Sequence, residues 1–442
     1  MKPGLLSICL SVLLLVQSYL YFIQLRSRPT CKVEISKSSR SSFEFEKTTS
    51  IISTTSTALI NVERLDITTS SSQSTLPLIH DEVKSSKSIL LIVQNYYETA
   101  LSNDQFKNAE LILPLLYPFI MPNALLPAVN IFQDRPHFIA DCSSPAWSNI
   151  LTGRKRKVPV KIYDMIPFLY EFDILEIRMM ELIGLVDRHV VLEGNLTHRL
   201  MRKPEFLRSS LEYRFKPFNI FYCQQMINLT TTNQLNDWRM NSLAWYELFN
   251  CFMAYIEQHD DNLFIIGDAD EIPSFETITI LKKCELQKNV NIMHTCSTFF
   301  LSSVKYTFEK TGLGCNHQNH GKDSIVYPTI ATWKYMKSNW MSKERADWRN
   351  PKKANFLPAQ TGYHFSSFGE DYEFLFKIYA AAEATEDVDK IVSSSFNPRK
   401  DIYLHRNLLN HIRINNVSAL KLPWFLRQNK MRYLNFFTSW FS

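Results

Sequence analysis

The chain has 442 residues, 45% of them apolar and 13% aromatic, with a formal charge of +6 at neutral pH. That apolar content can fill a substantial core and excludes a wholly disordered chain, and the length suits one large domain with appendages. Basic residues are scattered apart from Arg154 to Lys157, which reads as a solvated linker cluster; no RNA- or DNA-binding motif accompanies it, so nucleic acid is not an expected partner.

The N-terminus comes first. Pro3 to Leu25 carries no charge and is mostly Leu, Ile, Val, Tyr and Phe. At ~1.5 Å rise per residue it can cross a ~30 Å hydrocarbon layer. It ends in Tyr19-Leu-Tyr-Phe22 without an Ala-x-Ala pattern, so residues 1–30 read as an uncleaved signal anchor rather than a cleaved signal peptide. Lys2 precedes the span while Arg26, Arg28 and Lys32 follow it, and charge alone would leave the downstream chain in the cytoplasm. Sequons at Asn195, Asn228 and Asn416, and the chemistry described below, argue instead for a lumenal body and a single-pass type II orientation.

Residues 31–88 are dominated by Ser and Thr from residue 36 onward, with few aromatics. Such a segment buries too little surface to offset its ordering entropy and reads as a disordered stalk. Residues 89–157 form an N-terminal extension. Leu111 to Ile120 is apolar, but Pro114, Pro118, Pro122 and Pro127 are expected to break any long helix there.

From 158 to 442 strands and helices alternate. Val158 to Phe168, His189 to Leu192, Phe218 to Tyr222 and Leu263 to Ile266 read as strands; Glu171 to Ile183 and Asp237 to His259 read as amphipathic helices. Alternation implies crossover connections, hence an α/β domain with a mainly parallel sheet and ligands beyond the carboxyl ends of its strands. Three polar clusters fall at such ends: Glu171/Asp173, Glu193/Asn195 and Asp268/Asp270. Cys142, Cys223, Cys251, Cys284, Cys296 and Cys315 lie in the body without zinc-type spacing and read as lumenal disulfides, their pairing open.

The sharpest signal is Asn262-Leu-Phe-Ile-Ile-Gly-Asp-Ala-Asp-Glu-Ile-Pro273, an apolar strand running into three carboxylates within four residues. Two hard oxygen ligands at Asp-x-Asp spacing suit Mg²⁺ or Mn²⁺ with positions left for phosphate. In sugar transfer such an ion neutralises the departing diphosphate. The competing reading is an acidic strand-to-helix turn in which one Asp caps a helix.

Several stretches, in order, resemble the β-1,4-mannosyl-glycoprotein N-acetylglucosaminyltransferases, glycosyltransferase family seventeen. They are Glu171-Phe-Asp-Ile-Leu-Glu-Ile-Arg178, Val190-Val-Leu-Glu-Gly-Asn-Leu-Thr197 with Lys203-Pro204, Arg239, Phe264 to Pro273, Gly362-Tyr-His-Phe-Ser366 with Lys377, and Leu422 to Asn429. Family Ser is Gly194 here, family Trp is Tyr363, and the Cys after the His is Phe365.

The resemblance implies a GT-A-like nucleotide-sugar-binding domain that transfers N-acetylglucosamine from UDP-GlcNAc to the core β-mannose of N-glycans, with inversion, at the Golgi membrane. It implies Asp268, Asp270 and His364 as metal ligands. Glu171, Asp173, Arg178, Glu193 and Asn195 would hold nucleotide and sugar. Arg178 pairs phosphate on this view, or else a helix carboxylate at Glu181 or Glu171. Arg239 and Lys377 would meet the diphosphate, unless they are surface charges. Glu271, Glu370 and Asp371 are the candidates for the base an inverting transfer needs, with surface acids as the alternative for each. Any glycan on Asn195 is expected to be absent or inessential. Three other readings stay open: transfer of another sugar or to another acceptor; a catalytically inactive, membrane-tethered glycan-binding protein; and a cell-surface adhesion protein, suggested only by the stalk.

Overall fold

The computed structural model describes residues 60–61, 105–129, 135, 137–226, 237–253, 255–308, 327–339, 354–380, 392, 397–405, 412–414 and 422–438. The chain divides into Met1–Thr57 and Ala58–Ser442, and every described residue lies in the second unit. The expected anchor, and the expected stalk apart from Ile60–Asn61, therefore fall outside the described residues. Among the described residues no helix is long and apolar enough to cross a membrane.

The chain runs through β1 (Ile60–Asn61), α1 (Gln105–Ala124), β2 (Leu151–Lys155), β3 (Ile162–Phe168), α2 (Phe172–Glu181), β4 (Arg188–Gly194), α3 (Phe206–Ser210), β5 (Ile220–Gln225), α4 (Asp237–Met253) and β6 (Leu263–Ile266). It continues through β7 (Glu271–Pro273), α5 (Phe275–Lys283), β8 (Cys284–Leu286), β9 (Ile292–Leu301), β10 (Ser303–Phe308), β11 (Thr329–Thr332), α6 (Trp333–Asn339) and β12 (Asn355–Ser366). Last come α7 (Asp371–Ala380), α8 (Pro398–His405), β13 (Ile412–Ile414) and α9 (Trp424–Gln428).

The sheet is mixed. Its order β5-β4-β3-β6 is parallel throughout. Beyond β6, β11 pairs antiparallel with both β6 and β9, β9 takes β12 in parallel, and β12 takes β7 antiparallel. The parallel strands are apolar along their length because helices cover both faces. Ile166 and Val191 point to one side, into a core shared with α1, α2 and α7. Met165, Val190 and Leu192 point to the other, against Trp245, Leu248 and Phe252 of α4.

That two-sided cover fixes where the site lies. The chain steps outward from β3 to β4 to β5, then returns to lay β6 on the opposite side of β3. Right-handed crossovers running in opposite directions put α2 and α4 on opposite faces, and between β3 and β6 the strand order reverses. The residues following β6 emerge at that reversal.

Two sequence expectations need correcting. The prolines do not break the extension: α1 is a 20-residue helix with Pro114, Pro118 and Pro122 inside it. Their spacing of four lines them along one side of the helix, where Pro114 and Pro122 are exposed and water can satisfy the carbonyls they free. The opposite side buries Ile112, Leu113, Leu116, Ile120 and Ala124, and Asn123 reaches α7 with a 3.0 Å bond to the Tyr372 hydroxyl. Tertiary packing thus outweighs a local cost. Helix α4 also stops at Met253, short of His259.

Of the cysteines, Cys142 bonds Cys284 and Cys223 bonds Cys251. The first ties the extension to the start of β8; the second ties β5 to α4. Cys296 is disulfide-bonded too.

Candidate active site

Strand β6 is fully buried and ends at Gly267, after which the backbone turns through Asp268, Ala269 and Asp270 into β7. The turn is closed by its own atoms: Glu271 Oε2 accepts from the Asp268 amide at 2.9 Å, and the Glu271 amide donates to the Asp268 carbonyl at 3.0 Å. Strand β12 braces it from outside. His364 sits opposite Glu271 in the β7–β12 register, and the Phe365 amide donates to the Asp270 carbonyl at 2.9 Å.

The two turn carboxylates differ. Asp268 is half-buried. Asp270 is buried, and its Oδ2 lies 3.3 Å from Lys377 Nζ and 3.6 Å from His364 Nε2. Burial opposes ionisation of Asp270, but the Lys377 ammonium and the His364 imidazole outweigh it and hold the carboxyl well below the ordinary range. Burial likewise opposes charge on His364, yet Asp270 and then Glu271 raise its pKa above the usual value. Glu171 completes the cluster. Its Oε2 accepts from the amides of Leu169 and Tyr170 at 3.3 and 3.0 Å. Burial pushes its pKa up, Lys377 pulls it down and Asp270 adds to the rise. The fold thus brings Glu171, Asp268, Asp270, His364 and Lys377 together from four separate segments.

Other expected site residues are committed elsewhere. Arg178 is wholly buried and is held by Asp164, with Nη2 to Oδ1 at 2.6 Å, and by the carbonyls of Asp268 and Glu271. Glu181 is held instead by Arg135 and the Phe275 and Trp424 amides, and Glu171 by the Leu169 and Tyr170 amides. Asp173 turns away to Arg214 at 2.5 Å. Glu193, fully buried, accepts from Lys203 Nζ, the Leu207 and Arg208 amides and the Tyr222 hydroxyl, at 3.2, 3.0, 3.2 and 3.0 Å, and so anchors the start of α3. The Asn195 backbone is bonded to Gln225 and Lys203. Glu271 is 2% exposed and braces the turn. Glu370 and Asp371 sit at the start of α7, where Arg399 binds the Glu370 carbonyl at 3.2 Å and Asp371 at 3.5 Å. Arg239 lies on α4, and its side chain is outside the described residues.

Sequence reasoning missed Asp164 and His189, which lie on β3 and β4 at the heart of the Arg178 contacts. A signal was present: a lone carboxylate in the apolar run Ile162-Tyr-Asp-Met-Ile-Pro-Phe168 has to find a buried cation.

Among the described residues no three His, Cys, Asp or Glu side chains are gathered into a metal shell. The donor chemistry nevertheless suits a hard divalent cation: two carboxylates on one turn, and an imidazole whose buried Nδ1 has no hydrogen-bond partner among the described residues. Lys377 already stands 3.3 Å from the Asp270 oxygen that a metal would share.

A parallel α/β core whose strand order reverses above an acidic turn, with a lysine and a histidine closing on that turn, defines an open-sheet α/β domain of the kind that binds ligands at such a reversal. The model of Glycosyltransferase family 17 matches residues 127–435, and the chain belongs to that family. It is similar to the β-1,4-mannosyl-glycoprotein 4-β-N-acetylglucosaminyltransferases of Rattus norvegicus and Homo sapiens, each 30% identical over 146 residues. It is 29% identical over 146 residues to the Mus musculus protein of the same name. The matches cover 31% of this chain and 26%, 27% and 26% of the rat, human and mouse proteins, about a quarter of their length. The resemblance read from the ordered motifs is thereby shown.

Proposed function

We propose that the chain is a GT-A-like transferase that moves N-acetylglucosamine from UDP-GlcNAc to the core β-mannose of N-glycans, forming a β-1,4 bond with inversion. It would act in the Golgi lumen as a single-pass type II membrane protein. The observation that carries the reading is the acidic turn at the β3–β6 reversal, inside a family match that spans the whole parallel core.

The chain's own groups divide the work. Lys377 puts positive charge beside Asp270, where a diphosphate leaving group gathers charge as the sugar departs. Asp268 and Asp270, with His364, would hold Mn²⁺ or Mg²⁺, which neutralises that diphosphate when bound. Glu171 lies near the same Lys377 ammonium. Among the candidate bases, Glu370 and Asp371 are half-buried and keep some access to solvent, whereas Glu271 is committed to the turn.

One observation favours a second reading, a catalytically inactive glycan-binding protein: Asp270 is already occupied by Lys377. The full-length chain in detergent, given a panel of nucleotide-sugars, Mn²⁺ and a core N-glycan acceptor, separates the two. UDP release from UDP-GlcNAc with one N-acetylhexosamine added to the acceptor supports the proposal. Another sugar transferred changes the donor and keeps the class. Glycan binding with no turnover of any donor establishes the second reading.

A further inference from the structure

The acidic turn has to present its carboxylates at one height above the sheet before any ligand arrives, and β6 alone cannot fix that height. Its last residues pair with β3 and β11; the paired register ends at Ile266, and the Gly267 amide reaches the Met165 carbonyl at 3.5 Å. Beyond it, Asp268 and Glu271 bond to each other, which closes the turn, and β12 braces its far side through the Phe365 amide on the Asp270 carbonyl and the Glu271–His364 pairing.

Arg178 ties the turn to the parallel strands, which β12 does not do. It projects from α2 and is 0% exposed. One nitrogen, Nη1, donates to the carbonyls of Asp268 and Glu271, both at 2.7 Å, one on each side of Asp270. Nε and Nη2 grip both oxygens of Asp164 on β3, at 3.2, 3.1 and 2.6 Å. Asp164 Oδ2 also accepts from His189 Nδ1 on β4 at 2.9 Å; the carboxylate can only accept, which sets the ring tautomer. A path of hydrogen bonds therefore runs from the second strand of the parallel core, through the first, across a rigid planar fork, to both shoulders of the turn. Arg and Asp cancel in charge, so the buried pair leaves no net charge in the core. Lysine could not reproduce the fork, having one point of charge where Arg has five N–H groups in a plane. With no exposed surface, the guanidinium cannot touch a donor sugar.

We infer that Arg178, oriented by Asp164 and His189, is the positioning residue that sets the Asp268–Asp270 turn for its ligand. The inference deepens the proposed function and rests on it for the role of the turn, but the geometry it claims can be measured without turnover.

The test uses the full-length chain as wild type, Arg178→Lys, His189→Gln and His189→Leu. Each is followed by hydrogen–deuterium exchange over residues 263–273 and by steady-state kinetics with varied donor. For Arg178→Lys the expected result is about tenfold faster exchange confined to the turn, with kcat lowered about 10²-fold and a smaller change in KM. His189→Gln keeps a donor toward Asp164 and should behave as wild type, while His189→Leu should fall between. Unchanged exchange at 263–273 in Arg178→Lys overturns the inference, as does an equal rise across β4 and β5, which marks a merely structural role. Should Arg178→Lys fail to fold, the His189 pair decides alone: a turn-confined rise in His189→Leu absent from His189→Gln supports positioning, and equal behaviour overturns it. Faster turn exchange in Arg178→Lys alongside a wild type inactive on every donor would retain the positioning residue and discard the transferase reading.

Discussion

Lys377 Nζ and His364 Nε2 approach the same oxygen of Asp270, at 3.3 and 3.6 Å, from a helix and a strand that follow it in sequence by about a hundred residues. Asp270 is thus held in its charged form because α7 and β12 bring Lys377 and His364 to it. Lys377→Met should leave a buried carboxylate half-served and destabilise the protein by about 1–3 kcal/mol at pH 7. The sign with pH follows from the depressed Asp270 pKa. Stability from such a group is present above the unfolded-state carboxylate pKa and lost as pH falls through the folded one. The gap between wild type and variant in urea unfolding should therefore narrow in acid. Equal midpoints at pH 7 would show that the contact contributes nothing.

Gly267 separates β6 from the turn, and its need is for space rather than for an unusual backbone angle. A Cβ there would stand 2.7 Å from Glu271 Oε2 and 2.7 Å from Pro328 Cβ. Gly267→Ala should push on the carboxylate that holds the Asp268 amide, costing about 1–3 kcal/mol by overpacking. Donor turnover should fall more steeply than stability does. Thermal melts and kcat measured on one preparation check this, and an unaltered kcat would contradict it.

Part of this arrangement was legible in the sequence. Leu263-Phe-Ile-Ile266 running into Asp268 and Asp270 marked a buried strand with an acidic end, and the structure has that strand at the expected residues. Helix α1 was not legible, because its prolines impose a local cost while the compensation comes from packing against α7, far along the chain. The employment of Arg178 and Glu193 was hidden for a related reason. Arg178 meets a carbonyl 90 residues away, and Glu193 is satisfied by a helix start and a neighbouring strand whose arrangement exists only once the chain has folded. Residue type advertised charge; three-dimensional packing decided whether that charge faces a ligand or braces the frame.

Glu373, one turn before Lys377 on α7, provides a titration. Burial first, and then the nearby Asp173 carboxylate, push its pKa up to about 8, against a contribution from the Glu370 amide that lowers it. A carboxyl raised in the folded state stabilises below its unfolded pKa, and that stability is lost as pH rises through the folded value. Wild-type stability should therefore contain a component, on the order of a few kcal/mol, that declines from about pH 4.5 to about pH 8. Glu373→Gln should flatten it, as read by denaturant unfolding across that range. A variant with the same slope as wild type would place the titration elsewhere.

The sequon at Asn195 should carry no glycan. Thr197 is fully buried and its hydroxyl accepts from the Met201 amide at 3.2 Å, while the Asn195 backbone is bonded on both sides. Recognition of the folded tripeptide would have to break these contacts. Glycopeptide mapping of the chain expressed through a eukaryotic secretory pathway should find Asn195 unmodified, and Asn195→Gln should leave the apparent mass unchanged; a glycan-sized shift would refute this.

The account turns on the carboxylates that follow β6. The most direct measurement is UDP release from UDP-GlcNAc, with Mn²⁺ and acceptor, by the wild type and by the folded Asp268→Ala/Asp270→Ala double variant. The account predicts turnover by the wild type, its suppression by chelator, and a loss of at least about 10²-fold in the variant. Wild-type-like turnover after both substitutions would mean that the chemistry happens somewhere other than this turn.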